Sequence, residues 1–176
     1  MAVRIVTDSA ADLTDEEASS LGVTVVPLSI RFGAKEYVDR KDLTPAEFYA
    51  ELASAATLPE TAAPAPGAFE VAFREALDAG ADAVVCISIS SLLSATMASA
   101  QNAARALEGS DVRVVDSRSI TSGLGTMVKR AARAAADGAS ADEVVRLVEA
   151  LIPRTRVYGA LDTLDNLKKG GRIGGA

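Results

Sequence analysis

Histidine is absent from the 176 residues. Without it, these residues cannot assemble a Ser-His-Asp or Cys-His nucleophilic site, nor a His-ligated metal centre. Cysteine occurs once, as Cys86 in an apolar run. One thiol can neither close an internal disulfide nor build a zinc site, so nothing requires an oxidising compartment. No apolar run approaches the ~20 residues of a membrane-spanning helix, and the opening MAVRIVTDS lacks the hydrophobic region of a secretion signal. These absences lead to the expectation of a cytoplasmic protein with no stable membrane insertion. Basic residues are outnumbered, 18 Lys and Arg against 24 Asp and Glu, for a net charge of -6. That is the opposite of the dense cationic face a nucleic-acid partner needs. No GxSxG nucleophile elbow occurs either. Chemistry done by these residues alone would fall to carboxylates, Lys, Arg or hydroxyls.

What is present alternates between strand and helix signals. VRIV (3–6) is a short apolar run ending at Asp8-Ser9. Thr14 and Glu17 then form a capping box for a helix that Gly22 ends. VTVVPLSIRF (23–32) is strand-like, with Pro27 marking an edge or bulge. Thr44-Pro45-Ala46-Glu47 starts a helix running to about Ser54, and the Pro-rich 58–67 reads as a loop. Phe69, Phe73, Ala76 and Leu77 share one helical face. ADAVVCISIS (81–90) has the continuous apolar run of a strand buried on both faces. The helix after it sets Met97, Ala100, Ala104 and Leu107 on one face. VRVVDS (112–117) reads as another buried strand, followed by a glycine turn at 122–125 and an alanine-rich helix. Ser140 and Glu143 cap a helix with Val144, Val148 and Leu151 in register, and RVYGALD (156–162) reads as a new strand.

This alternation predicts an α/β fold with a mainly parallel sheet flanked by helices. Ligands of such sheets bind at the carboxyl ends of the strands. Three hydroxyl-bearing strand exits fall on that rim: Thr7-Asp8-Ser9, Ser90 to Ser94, and Asp116-Ser117. A helix starting near Ser94 would also aim free N–H groups there. Each candidate has a plainer role open to it: Ser94 as an N-cap, Thr61 as a turn residue, Asp8 and Ser9 as partners of turn backbone. Met97, Phe69 and Phe73 fit a core better than a ligand lining. KKGGRIGG lacks the Lys-Ser/Thr pair of a nucleotide phosphate loop.

Six pieces then occur in one order: IVTDSAADL, VVPLSIRFG with YVDRKDLTPAEFY, PETAAPAPGAF, ISISSLLSATMASAQNAA, VVDSRSITSGLG and LDTLDNLKKGGRIGGA. Together they cover nearly the whole chain, which resembles the DegV family of bacterial fatty-acid-binding proteins. The resemblance implies two α/β domains and a buried tunnel for one long-chain fatty acid. It implies a carrier, not an enzyme and without cofactor or metal, whose bound acid is presented to a fatty acid kinase. On the matching motifs, the expected ligand contacts are Thr61 and Ser94, with Ala62, Ala95 and Thr96 beside them; Arg172 is expected to face the kinase. Ala62 stands where the family commonly has Ser or Thr, Ala65 where it has Ser, and Ala95 where it has Gly. The resemblance makes residues 1–154 a DegV-like N-terminal domain and 155–176 the start of a truncated second α/β domain. Relatives continue from there with the rest of the tunnel and a histidine near the head group.

The energetics of such a carrier are consistent. Burying a methylene is worth about 0.8 kcal/mol, so a C16 tail offers on the order of 10 kcal/mol before ordering costs. The head group then needs only hydrogen bonds, which Thr61 and Ser94 can donate. Two other classes stay open on the residues alone. One is an α/β-cleft enzyme using Asp8, Asp116 and hydroxyls; the other is an interaction module that holds no ligand.

Overall fold

The computed structural model describes residues 1–173, and these form two compact units. The first comprises Met1–Pro27 and Ala63–Val157. Its sheet has four strands: β1 (Val3–Asp8), β2 (Val23–Val26), β6 (Ala83–Ser88) and β7 (Val112–Asp116). The spatial order is β2-β1-β6-β7 and every pair is parallel. Alternation along β6 explains why helices cover both faces. Val85 and Ile87 point into a cluster with Leu124, Met127, Val128, Val144 and Val148. Val84 and Cys86 point the other way, against Phe69, Phe73, Ala100 and Ala103. The first cluster is built by α1 (Asp15–Leu21), α5 (Thr121–Ala136) and α6 (Ala141–Leu151), and the second by α3 (Pro66–Asp78) and α4 (Thr96–Ala106). Phe69 and Phe73 are fully buried core, their ring centroids 5.9 Å apart.

The second unit comprises Leu28–Ala62 and the described residues from Tyr158 onward. Its sheet is antiparallel, in the order β4-β3-β5: β3 (Ser29–Phe32), β4 (Lys35–Val38) and β5 (Glu60–Ala62). A small core of Ile30, Phe32 and Leu43 packs with Phe48 and Leu52 of α2 (Pro45–Ser54). A short helix, α7 (Asp165–Lys169), belongs to this unit.

Most expected elements form where the local chemistry asks for them. The Thr14, Thr44 and Ser140 side chains each accept the N3 amide while Glu17, Glu47 and Glu143 return to the N-cap. Five expectations fail. The run 23–32 is two strands in two sheets, because Pro27 offers no N–H to continue a ladder. β5 forms inside the expected loop 58–67 by pairing with β3. β7 is an edge strand, so most of it is only half-buried. The expected turn 122–125 is the first turn of α5. Residues 156–162 form no strand, since the described residues supply no ladder partner there.

The glycines of α5 serve close packing. A Cβ on Gly125 would lie 2.4 Å from the Ala11 carbonyl oxygen, and one on Gly123 would lie 2.3 Å from Ser119 Oγ. Both would be clashes, so the helix reaches the short 3-10 turn Ser9–Ala11 only because position 125 carries no side chain.

Candidate functional site

In the first unit, the strands' carboxyl ends carry a linked set of hydroxyls and carboxylates. Adjacent β1 and β6 are where the chain reverses direction across the sheet, the position at which such folds open a crevice. Here the two strand ends are tied together. Asp8 Oδ2 accepts the Ile89 amide at 2.8 Å and Ser88 Oγ at 2.9 Å, and its Oδ1 accepts the Ala10 amide at 3.2 Å. Asp8 is fully buried, and burial pushes its carboxyl above the usual value against those hydrogen bonds. Cys86, also fully buried, has its thiol pushed well up by burial and then by the Asp8 charge, so it is no poised nucleophile.

The β6 exit turns through 91–93 into α4. Ser90 closes this turn: its carbonyl accepts the Leu93 amide at 2.9 Å and the Ser94 amide at 3.2 Å. The N-cap of α4 is Ala95, not Ser94, and it offers no side-chain cap. Ser94 still does part of that work, since its Oγ accepts the Thr96 amide at 3.2 Å. Ser94 Oγ and Thr96 Oγ1 also lie 2.8 Å apart. The pair holds two hydroxyl protons and this contact uses one, so one remains to donate elsewhere. Thr96 is fully buried and Ser94 half-buried, so the Ser94 hydroxyl is the one a ligand can reach; it has a proton to donate there when Thr96 Oγ1 is the donor of their mutual contact.

On β7, Asp116 is opposed by burial, but Ser91 and Arg118 outweigh it and hold its carboxyl below the usual value. After β7, Arg118 and Thr121 adopt φ of 50° and 51°. A β-branched residue in the left-handed region is strained, and such strain persists only where surrounding structure imposes it. Every carboxylate oxygen of Asp8 and Asp116 is engaged by neighbouring N–H or O–H groups.

The second unit holds the other expected contacts. Thr61 and Ala62 are exposed on β5, Thr61 paired in register with Ile30. Thr61 lines an open cavity of about 980 Å³ together with Phe48, Leu52, Leu58, Lys169 and Arg172. Arg172 is exposed, but its Nη1 turns back to donate to the Gly170 carbonyl at 2.5 Å. The expected ligand contacts thus divide between the units: Ser94, Ala95 and Thr96 in the first, Thr61 and Ala62 in the second. Arg172, expected at a partner surface, shares the Thr61 cavity. Gly174 and Gly175, the second glycine pair of the expected loop, lie outside the described residues. Sequence reasoning missed the Asp116–Ser91 link; two polar residues 25 positions apart carry no local signal of their pairing.

Comparison with known proteins gives this arrangement a family. The model described as "Uncharacterised protein, DegV family" matches residues 2–176. The chain belongs to the DegV family. A DegV domain-containing protein of Deinococcus radiodurans is 40% identical to this DegV chain over its full 176 residues, which span 62% of that relative. A solved structure described as fatty-acid binding of a DegV family protein from Thermus thermophilus matches with a TM-score of 0.89 at 37% identity. That match covers 99% of this DegV chain and 62% of the other. DegV from Bacillus subtilis, described as a fatty acid binding protein, matches with a TM-score of 0.88 at 27% identity over 97% of this chain and 61% of that one. The α/β fold with its parallel four-stranded sheet is therefore the DegV fold.

Proposed function

We propose that this DegV chain is part of a carrier that binds one long-chain fatty acid in a buried tunnel and presents its carboxylate to a fatty acid kinase. The carrier itself performs no phosphoryl transfer and works in the cytoplasm. The observation that carries the reading is the likeness to the Thermus thermophilus protein, described by its fatty-acid binding, at 37% identity across 99% of the chain. The geometry is compatible: a half-buried hydroxyl at Ser94 beside that of Thr96, and Thr61 at the edge of a cavity partly walled by Phe48, Leu52 and Leu58. In this reading Ser94 and Thr61 donate to the carboxylate, with Ala62, Ala95 and Thr96 beside them. Residues 1–154 act as the N-terminal domain, and 155–176 open a second one that completes the tunnel.

Native mass spectrometry of protein purified from bacteria tests ligand binding directly. A co-purified mass in the fatty-acid range is expected; folded protein that stays empty after incubation with fatty acids sinks the carrier reading. Ser94→Ala and Thr61→Ala should each weaken fatty-acid binding, measured by displacement of a fluorescent fatty acid, by roughly 1 kcal/mol or more without unfolding the protein. Unchanged affinity in both would remove the head-group assignment.

A further inference from the structure

The turn that carries Ser94 is held from outside by one side chain of the neighbouring strand. Asp116 ends β7, paired in register with Ser88 of β6. Its Oδ1 accepts the Ser91 amide at 3.1 Å, and its Oδ2 accepts Ser91 Oγ at 2.6 Å. The carboxylate is held in turn by the Arg118 amide at 3.0 Å and by Arg118 Nε at 2.9 Å. Only 14% of the Asp116 side chain is exposed. A two-point grip on Ser91, three residues before Ser94, sets where the turn leaves the sheet. Ser91 itself is exposed, so its hydroxyl is not demanded by burial. Leu92, next in the turn, is 78% exposed and adds no packing, while Leu93 packs partly buried against the core, so the Asp116 grip acts on the outer half of the turn.

We infer that Asp116 is a positioning residue: by gripping Ser91 it fixes the turn so that the Ser94 hydroxyl meets the carboxylate of a bound fatty acid. This rests on Ser94 being a head-group donor, as proposed above. A preformed donor spares the ligand the cost of ordering the turn on binding. Asp116→Asn keeps both contacts to Ser91, because its amide oxygen still accepts the Ser91 amide and its NH₂ can donate to Ser91 Oγ, while the exposed Arg118 guanidinium, which Oδ2 had accepted, turns away to solvent. Asp116→Ala loses both contacts.

The test combines hydrogen exchange of the unliganded protein with displacement of a fluorescently labelled C16 fatty acid. Asp116→Ala should speed exchange of amides 91–96 while amides of β6 and β7 keep their protection. It should also weaken affinity about five-fold, and Asp116→Asn less than about two-fold. In a Ser94→Ala background, Asp116→Ala should weaken affinity no further. Unchanged exchange at 91–96 overturns the inference whatever the ligand. So does an additional loss in the Ser94→Ala background, or equal losses for the Asn and Ala variants. Faster exchange with full affinity in both Asp116→Ala and Ser94→Ala also overturns it, by a separate route: the turn is held, and Ser94 does not touch the ligand.

Discussion

Asp8 shows what a single buried carboxylate imposes. Its oxygens satisfy the Ile89 and Ala10 amides and the Ser88 hydroxyl, and burial raises its pKa. The folded state therefore holds the Asp8 proton more tightly than the unfolded state, whose value is the ordinary 3.8. As pH rises from there through the raised folded value, the folded state binds more protons than the unfolded one, and this group's contribution to stability falls. Glu17 and Asp111 act oppositely: partnered by Lys129 and Arg113, their lowered carboxyls lend stability that is lost as pH falls. In urea unfolding, the stability of Asp8→Asn relative to wild type should therefore rise with pH across that window and level off above it. A difference independent of pH would show that Asp8 is not raised. Asp8→Ala should cost about 1–3 kcal/mol at neutral pH, because it leaves the buried Ile89 amide without its acceptor. The Ala10 contact is the turn-backbone role that IVTDSAADL left open for Asp8; its partners Ser88 and Ile89, 80 and 81 residues along the chain, were not legible there.

At the scale of elements, helix starts were legible and close packing was not. Thr14-Glu17, Thr44-Glu47 and Ser140-Glu143 are local, three residues apart, and all three form the expected boxes. Gly123 and Gly125 looked like a turn because glycine is the usual turn residue; their cause lies in distant contacts. Gly125→Ala should destabilise the protein by about 1–3 kcal/mol, since the added Cβ meets the Ala11 backbone. Gly123→Ala should cost less, because the atoms in its way, Ser119 Oγ and Val157 Cγ2, belong to side chains that can turn. Thermal or urea unfolding of the two variants checks the order, and a stabilising Gly125→Ala would refute the contact. The failed strand at 156–162 teaches the same point: a β-prone run needs a partner, and partner choice is tertiary.

At the scale of the whole molecule, Arg172 separates binding from delivery. In the proposed carrier it faces the kinase, and Arg→Lys exchange would not reproduce its planar grip on a carboxylate or phosphate. Arg172→Ala should then leave fatty-acid affinity nearly unchanged and lower kinase turnover of the bound acid. Salt should weaken the wild-type kinase complex more than the mutant one. Its place in the cavity with Thr61 supplies the competing outcome. Proportional loss of affinity and turnover would move Arg172 into the head-group site.

The sequence by itself determined the α/β class, the parallel sheet and the capped helices, because these follow from periodicity and contacts a few residues long. It also carried the family motifs in order. Only the tertiary structure decided that Pro27 divides one run between two sheets, that β7 is an edge, and that two α5 glycines are there for contact. It also decided that Asp116 grips Ser91 across 25 residues. Each of these depends on which distant backbone lies alongside, and a spacing along the chain does not encode that.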